Sequence, residues 1–192
     1  MDDERFWALI DEAMAREIRA GTSRVVVDEL LDDVLVGRLR PDEVVGFTRH
    51  ADVIAGRAAT WDLLAACHLI DGWHSEDGFR DFRDFLILAG QAVFERAVQD
   101  ADSLAEHAAL VQGRRDGRLA PGPVDDLAQR AWARLTGLDD EDDWFEAIAV
   151  AATPEVVIGS GAGLRGSPWE SWSRSSYERR LPALVSLVGL RP

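Results

Sequence analysis

The chain has no lysine, no asparagine and only one cysteine among its 192 residues. A single cysteine excludes an internal disulfide, and with it the class of small secreted domains that disulfides hold together. No apolar stretch approaches the roughly 20 residues that a membrane-spanning helix needs, because charges interrupt every candidate. The N-terminus begins with acids where a signal peptide carries bases. We therefore expect a cytoplasmic protein.

Positive charge is also scarce. The 21 basic residues, all arginine, stand against 35 acids and give a formal net charge of −14. A surface of this charge repels nucleic-acid backbones and anionic lipids, so we expect neither as a partner. The exclusive use of arginine is typical of codon usage in a high-GC bacterium. Individual arginines are therefore not interpreted as anion ligands.

The apolar residues, 47% of the chain, recur at helical spacing. No segment alternates as a strand does, and no repeat of helical-hairpin length is present. Pro41 is placed near the first position of a helix and Ser75 as an N-cap, and the pattern after Gly90 indicates that a helix continues past it. We predict an all-α, single-domain bundle of about seven to nine helices over residues 1–192. Its predicted parts are a core at 41–104, an exposed loop at 113–123 and a flexible Gly/Trp-rich loop at 159–175.

Several motifs carry a family resemblance. Between Phe47 and Leu104 the chain has a tryptophan-led apolar helix, a glycine turn, an aromatic helix and an Asp-Ser-Leu element, which stand as WDLLAACHLIDGW, SEDGFRDFRDFLI and DADSL. The ends add RFWALID, SPWESW and RLPALVSL. On these residues the chain resembles an uncharacterised bacterial family, domain of unknown function 4240, over most of its length. The resemblance supports the fold and the compartment and supplies no reaction.

The segment from Trp61 to Leu86 concentrates histidines, tryptophans and acids in an apolar stretch. Most of it is predicted to be core. At the turn of residues 71–79, however, aromatic rings and a few polar groups favour a pocket. The alternative interpretation is structural: the same residues are typical of a capped helix start without a pocket. The candidate pocket residues are Trp61, His68, Trp73, His74, Asp77, Phe79 and Phe82.

Two functions remain open. The first is a non-enzymatic binding module that recognises a small ligand or a protein partner through this pocket. The alternative is a metal-dependent or general acid-base enzyme, hydrolase-like, because imidazole and carboxylate groups suit both chemistries. No established metal-binding spacing is present, and the sequence identifies no cofactor. The enzyme would use His50, His68, His74 and Asp77.

Three further features favour structural roles. Cys67 is flanked by alanine and leucine, which predicts a core residue and not a reactive thiolate. The glycine-rich stretch 158–166 is predicted to be a connector, because neither a P-loop lysine nor parallel strands accompany it. Trp169 and Trp172 could stack bases, but the charge of the chain opposes this. We expect both tryptophans to clamp a loop onto the helical body.

Overall fold

The computed structural model describes residues 1–20, 25–72, 75–119, 122–150 and 163–189, with backbone alone at 16–20 and 25–30. Within these residues the fold is all-α, as predicted, with eleven α-helices and one 3₁₀ helix. The elements are α1 (Asp3–Ala20), α2 (Val25–Arg38), α3 (Pro41–Arg57), α4 (Trp61–Asp71), α5 (Glu76–Leu88), α6 (Gln91–Gln99), the 3₁₀ helix (Ala101–His107), α7 (Ala108–Arg115), α8 (Val124–Thr136), α9 (Glu141–Val150), α10 (Arg174–Arg180) and α11 (Pro182–Val188).

The predicted count of seven to nine helices is too low because the chain breaks at additional positions. Gly90 has a φ of 93°, which ends α5 and starts α6, so the predicted continuation through this residue is wrong. Thr60 caps α4 by accepting a hydrogen bond from the Leu63 N–H at 3.2 Å, which separates α4 from α3. Pro182 opens α11 directly after α10.

Helix α7 extends into the segment that was expected to be a loop from residue 113. It ends at Arg115, and Gly113 is buried within it. After the helix the chain turns back, and the Leu119 N–H donates to the Gly113 carbonyl at 2.9 Å. A Cβ on Gly113 would lie 2.5 Å from the Leu119 side chain. Because Gly113 has no side chain, the Leu119 side chain can pack directly against the helix.

The chain divides into two compact units, each made of two sequence segments. Unit 1 comprises Met1–Ile54 with Pro121–Gly159. In it α2 packs against both α1 and α8, and the largest buried side chains include Phe6, Phe47 and Trp144.

Unit 2 comprises Ala55–Ala120 with Ser160–Pro192. Helix α4 is central in it, because it packs against α5, α7, α11 and the 3₁₀ helix. Six of its eleven residues are buried, as expected for a helix that is apolar on nearly every side. No helix in the described parts of either unit is long and apolar enough to cross a membrane. The expectation of a single domain stays a prediction.

Candidate functional site

Three of the predicted pocket residues lie at the start of α5. Ser75 caps this helix as predicted, and its hydroxyl accepts a hydrogen bond from the Gly78 N–H at 3.0 Å. Asp77 is exposed in the first turn, where a carboxylate interacts favourably with the helix dipole. Phe79 and Phe82 are buried. Both rings therefore contribute to the core of unit 2.

The other predicted pocket residues belong to α4 and the turn after it. Trp61 and His68 are half-buried on α4. Gly72 ends this helix with a φ of 90° and donates its N–H to the His68 carbonyl at 2.9 Å. His68 is thus one helical turn before the predicted pocket turn. Trp73 and His74 lie outside the described residues.

His68 is part of a cluster of four rings from α4 and the C-terminal segment. We call it the aromatic cluster: His68, Trp169, Trp172 and Tyr177. His68 Nδ1 and the Tyr177 hydroxyl share a short hydrogen bond. Burial raises the pKa of Tyr177 to about 12, so its hydroxyl is neutral at physiological pH. The pair joins α4 to α10 across 109 positions of sequence.

Trp169 is the buried indole of this cluster. It is 7% exposed, and its Nε1–H donates to Asp62 Oδ1 on α4 at 2.8 Å. The guanidinium carbon of Arg180 lies 4.9 Å from the centroid of the same indole, within the range of a cation–π contact. Arg180 also pairs with Asp62 at 2.7 Å. Asp62 therefore orients the indole directly and through the arginine.

Trp172 is the exposed ring of the cluster. Its indole stacks on Trp169 with centroids 5.5 Å apart and planes inclined by 20°. It also meets the His68 ring edge-on, with centroids 6.0 Å apart and planes at 71°. Both arrangements are favourable geometries for aromatic pairs. Trp172 is nevertheless 41% exposed, so a large apolar surface is held in one orientation at the surface of unit 2.

Backbone contacts hold the C-terminal segment against the rest of unit 2. The Arg165 N–H donates to the Ala59 carbonyl at 2.9 Å, and the Arg165 carbonyl accepts from the Trp61 N–H at 3.1 Å. The Arg165 guanidinium donates to the carbonyls of Gly56 and Arg57 at the end of α3. This cation adds hydrogen bonds at the last carbonyls of α3, where positively charged side chains interact favourably with the helix dipole.

Cys67 is buried on α4, beside a partly buried ion pair. Its thiol lies 3.9 Å from Asp71 Oδ2, and Asp71 forms a bidentate pair with Arg114, with a closest contact of 2.8 Å. Burial, followed by the Asp71 charge, raises the pKa of the Cys67 thiol far above its ordinary value. The thiolate needed for nucleophilic attack is thus disfavoured. The prediction of a core residue is confirmed.

His50, from the acid-base hypothesis, lies on α3 in unit 1. Its Nε2 is 2.9 Å from Asp3 Oδ1, and its ring contacts the buried Phe6 with centroids 5.3 Å apart. A carboxylate beside an imidazole orients the ring. Among the described residues, no group of three or more His, Cys, Asp or Glu side chains is arranged to hold a metal ion.

Sequence reasoning singled out His68, Trp169 and Trp172, but it missed Tyr177 and Asp62. Tyr177 is the only tyrosine of the chain, and that rarity was the one signal available. Nothing in the local pattern connects it with a histidine 109 positions earlier. The aromatic cluster therefore becomes visible only when α4 and the C-terminal segment are seen together.

Comparison with known proteins identifies a family and no activity. A family described as "Protein of unknown function (DUF4240)" matches residues 1–134. Asp62 and His68 lie inside the matched part, whereas Trp169, Trp172 and Tyr177 lie beyond it. No curated protein and no solved structure matches the chain.

Proposed function

This chain belongs to the DUF4240 family of proteins of unknown function, and we propose that it is a non-enzymatic binding module. It recognises a small ligand or a protein partner at the aromatic cluster and the adjoining turn of residues 71–79. Phe79 and Phe82 support this turn from the core, and Asp77 supplies an exposed carboxylate. Within this proposal, Trp73 and His74 complete the pocket.

The observation that carries the proposal is the exposed and oriented indole of Trp172. It is 41% exposed while it contacts the rings of both Trp169 and His68. When a planar ligand group stacks on such a ring, the entropic cost of ordering the side chain is small, because the ring is already fixed. Tryptophan is also among the residues that dominate the binding free energy at interfaces. A planar aromatic ligand group is the chemistry that this surface fits best.

The experiment uses the full chain labelled with 5-fluorotryptophan. Its seven tryptophans give separate ¹⁹F resonances, and a Trp172→Phe variant assigns the one from Trp172. The protein is titrated with a library of planar aromatic fragments. We expect fragments that shift the Trp172 resonance saturably and whose affinity falls about tenfold or more in Trp172→Ala.

Phe145→Ala is the matched control, because Phe145 is an aromatic residue of unit 1 that is 57% exposed. It is expected to leave fragment affinity unchanged. A library in which no fragment shifts the Trp172 resonance would contradict the proposal. So would a fragment whose affinity is the same in wild type and in Trp172→Ala.

The alternative, a metal-dependent or acid-base enzyme that uses His50, His68, His74 and Asp77, is favoured by the His50–Asp3 contact at 2.9 Å. Such pairs position catalytic imidazoles. The two functions differ in their response to His50→Ala. Fragment binding that is unchanged by this variant supports the binding module, whereas loss of binding with a retained fold favours the enzyme.

A further inference from the structure

Helix α9 is held on unit 1 by one face. Trp144 is 1% exposed, and its ring contacts Trp132 of α8 with centroids 5.7 Å apart. One turn later along α9, the Ile148 carbonyl accepts a hydrogen bond from Arg49 Nη2 of α3 at 2.8 Å. Residues four apart share a helix face. The face that carries Trp144 and Ile148 is thus anchored against α3 and α8.

Another face of α9 is exposed along its whole length. Asp142, Phe145, Glu146 and Ala149 are all exposed and follow the spacing i, i+3, i+4 and i+7, which places them on one stripe. Phe145 is 57% exposed, and Val150, at the end of the helix, is 82% exposed. Single exposed apolar residues are ordinary on protein surfaces. Here, however, the phenyl ring is flanked on its own stripe by two carboxylates.

The charge around Phe145 is strongly negative. Six of the eight residues at 139–146 are acids, and within the described part of the chain none of the six forms an ion pair. The acids Asp32 and Asp33 of the same unit differ, because both pair with Arg134, at 2.8 and 2.9 Å. The negative charge of α9 is therefore available to a partner.

We propose that the exposed stripe of α9 docks into an apolar groove of a protein partner whose rim carries arginine or lysine. An amphipathic helix that inserts its i, i+3, i+4 and i+7 side chains into a groove is a recurrent recognition mode. Phe145 is the anchor, and Asp142 and Glu146 pair with the basic rim. Complementary charge raises the association rate and selects against wrong partners.

A second copy of the chain does not fit this surface. A two-fold contact would bring the same patch of both copies together, and each patch carries the acids of residues 139–146. Each copy also has a net charge of −14. Repulsion between like charges opposes such a dimer, so the partner is a different, basic protein.

The test places the photocrosslinking residue benzoylphenylalanine at position 145 of the full chain in the producing cell. Position 53 serves as the matched control, because Val53 is an exposed apolar helix residue of the same unit, 39% exposed. A protein that crosslinks at 145 and not at 53 is purified, and its affinity for the unlabelled chain is measured by calorimetry at several salt concentrations.

We expect Phe145→Ser to lower this affinity about tenfold or more. The double reversal Asp142→Arg with Glu146→Arg is expected to weaken binding similarly and to reduce its salt dependence. Val53→Ser and the α1 reversal Glu4→Arg with Asp11→Arg are expected to leave affinity nearly unchanged. Circular dichroism confirms that each variant is folded.

Three outcomes overturn the proposal. One is the absence of any protein that crosslinks at 145 but not at 53. Another is a crosslinked partner whose affinity is insensitive to Phe145→Ser or to charge reversal on α9. The third is a crosslink between two copies of this chain, with sedimentation showing a dimer that Phe145→Ser dissociates. None of these results depends on the aromatic cluster, so the two proposals fail independently.

Discussion

Tyr177 shows how far the environment of one residue departs from that of the free side chain. The residue is 4% exposed, its hydroxyl bonds to His68, and burial raises its pKa to about 12. An unfolded chain carries tyrosine with a pKa of about 10. Between these two values the unfolded chain has released the proton that the folded chain still holds. This residue therefore stabilises the fold fully below about pH 10 and progressively less as the pH rises towards 12.

A spectroscopic titration reads this residue alone, because the chain has one tyrosine. We expect the near-ultraviolet absorbance of phenolate to appear with a midpoint near pH 12 in the folded protein and near about pH 10 in concentrated urea. Tyr177→Phe is expected to remove the phenolate signal. The variant is also expected to lose less stability than the wild type between about pH 10 and pH 12, because the ionisation of Tyr177 no longer contributes. A midpoint near 10 in protein that retains its native circular dichroism would show that the hydroxyl is not buried.

At the residue scale, sequence predicts what depends on chemical character and misses what depends on distant contacts. The clamping role of Trp169 was predictable, because a large apolar ring in a polar loop is normally buried against something. The bond between His68 and Tyr177 was not, since no local pattern connects positions 109 apart. The contact between Asp62 and Trp169 is of the same kind, with 107 positions between the two residues.

Helix α11 shows that a short element depends on its neighbours. It has seven residues, and Leu181 before it provides no side-chain cap. A helix of this length is not stable in isolation. Asp102 of the 3₁₀ helix supplies the missing acceptors: its carboxylate accepts from the N–H groups of Ala183 at 3.0 Å and Leu184 at 2.8 Å. One carboxylate of another element therefore satisfies the start of α11.

Removing this carboxylate should destabilise the C-terminal segment. We expect Asp102→Ala to lower the free energy of unfolding by about 1 kcal/mol, as the loss of a helix cap does, and to accelerate amide exchange at Ala183 and Leu184. Hydrogen exchange read by mass spectrometry, together with urea unfolding, measures both effects. Asp42→Ala is the control, because Asp42 contacts only the exposed side chain of Arg40 in the described structure. Equal exchange in the two variants would show that Asp102 does not cap α11.

Among the helices, boundaries that one residue signals by its own chemistry were more predictable than boundaries that depend on packing. Ser75 and Pro41 signal helix starts through their own chemistry, and α5 and α3 begin beside them. The sequence pattern places Gly90 inside a helix, because the apolar spacing continues on both sides of it. The end of α7 depends on Leu119, which returns to Gly113. Whether the chain turns back in this way depends on tertiary packing and not on the helix propensity of the local sequence.

At the scale of the whole molecule, both units are assembled from separated parts of the chain. Residues 1–54 and 121–159 form one unit, and 55–120 and 160–192 form the other, so the chain passes between them three times. Helix α3 runs unbroken across the first of these passages, from Pro41 to Arg57. Neither unit can therefore be excised as one continuous piece of the chain. This connectivity supports the single-domain expectation as a proposal.

We accordingly expect one cooperative unfolding transition. Differential scanning calorimetry should give a calorimetric enthalpy equal to the van't Hoff enthalpy, which is the standard criterion for two-state unfolding. The assigned ¹⁹F resonance of 5-fluorotryptophan at Trp172 in unit 2 and a reporter dye attached at position 145 in unit 1 should report the same midpoint. Two separate transitions, each seen by one probe, would instead establish two domains.

The contact between α4 and the end of the chain also has a consequence for biosynthesis. A ribosome adds roughly 5 to 20 residues per second, and His68 precedes Tyr177 by 109 positions. A nascent chain therefore carries α4 for roughly 5 to 20 seconds before its tyrosine partner has been made. During that interval the surface that later receives Trp169 is open to chaperones and to other nascent chains. Unit 2 is thus completed only after its second segment, residues 160–192, has been synthesised.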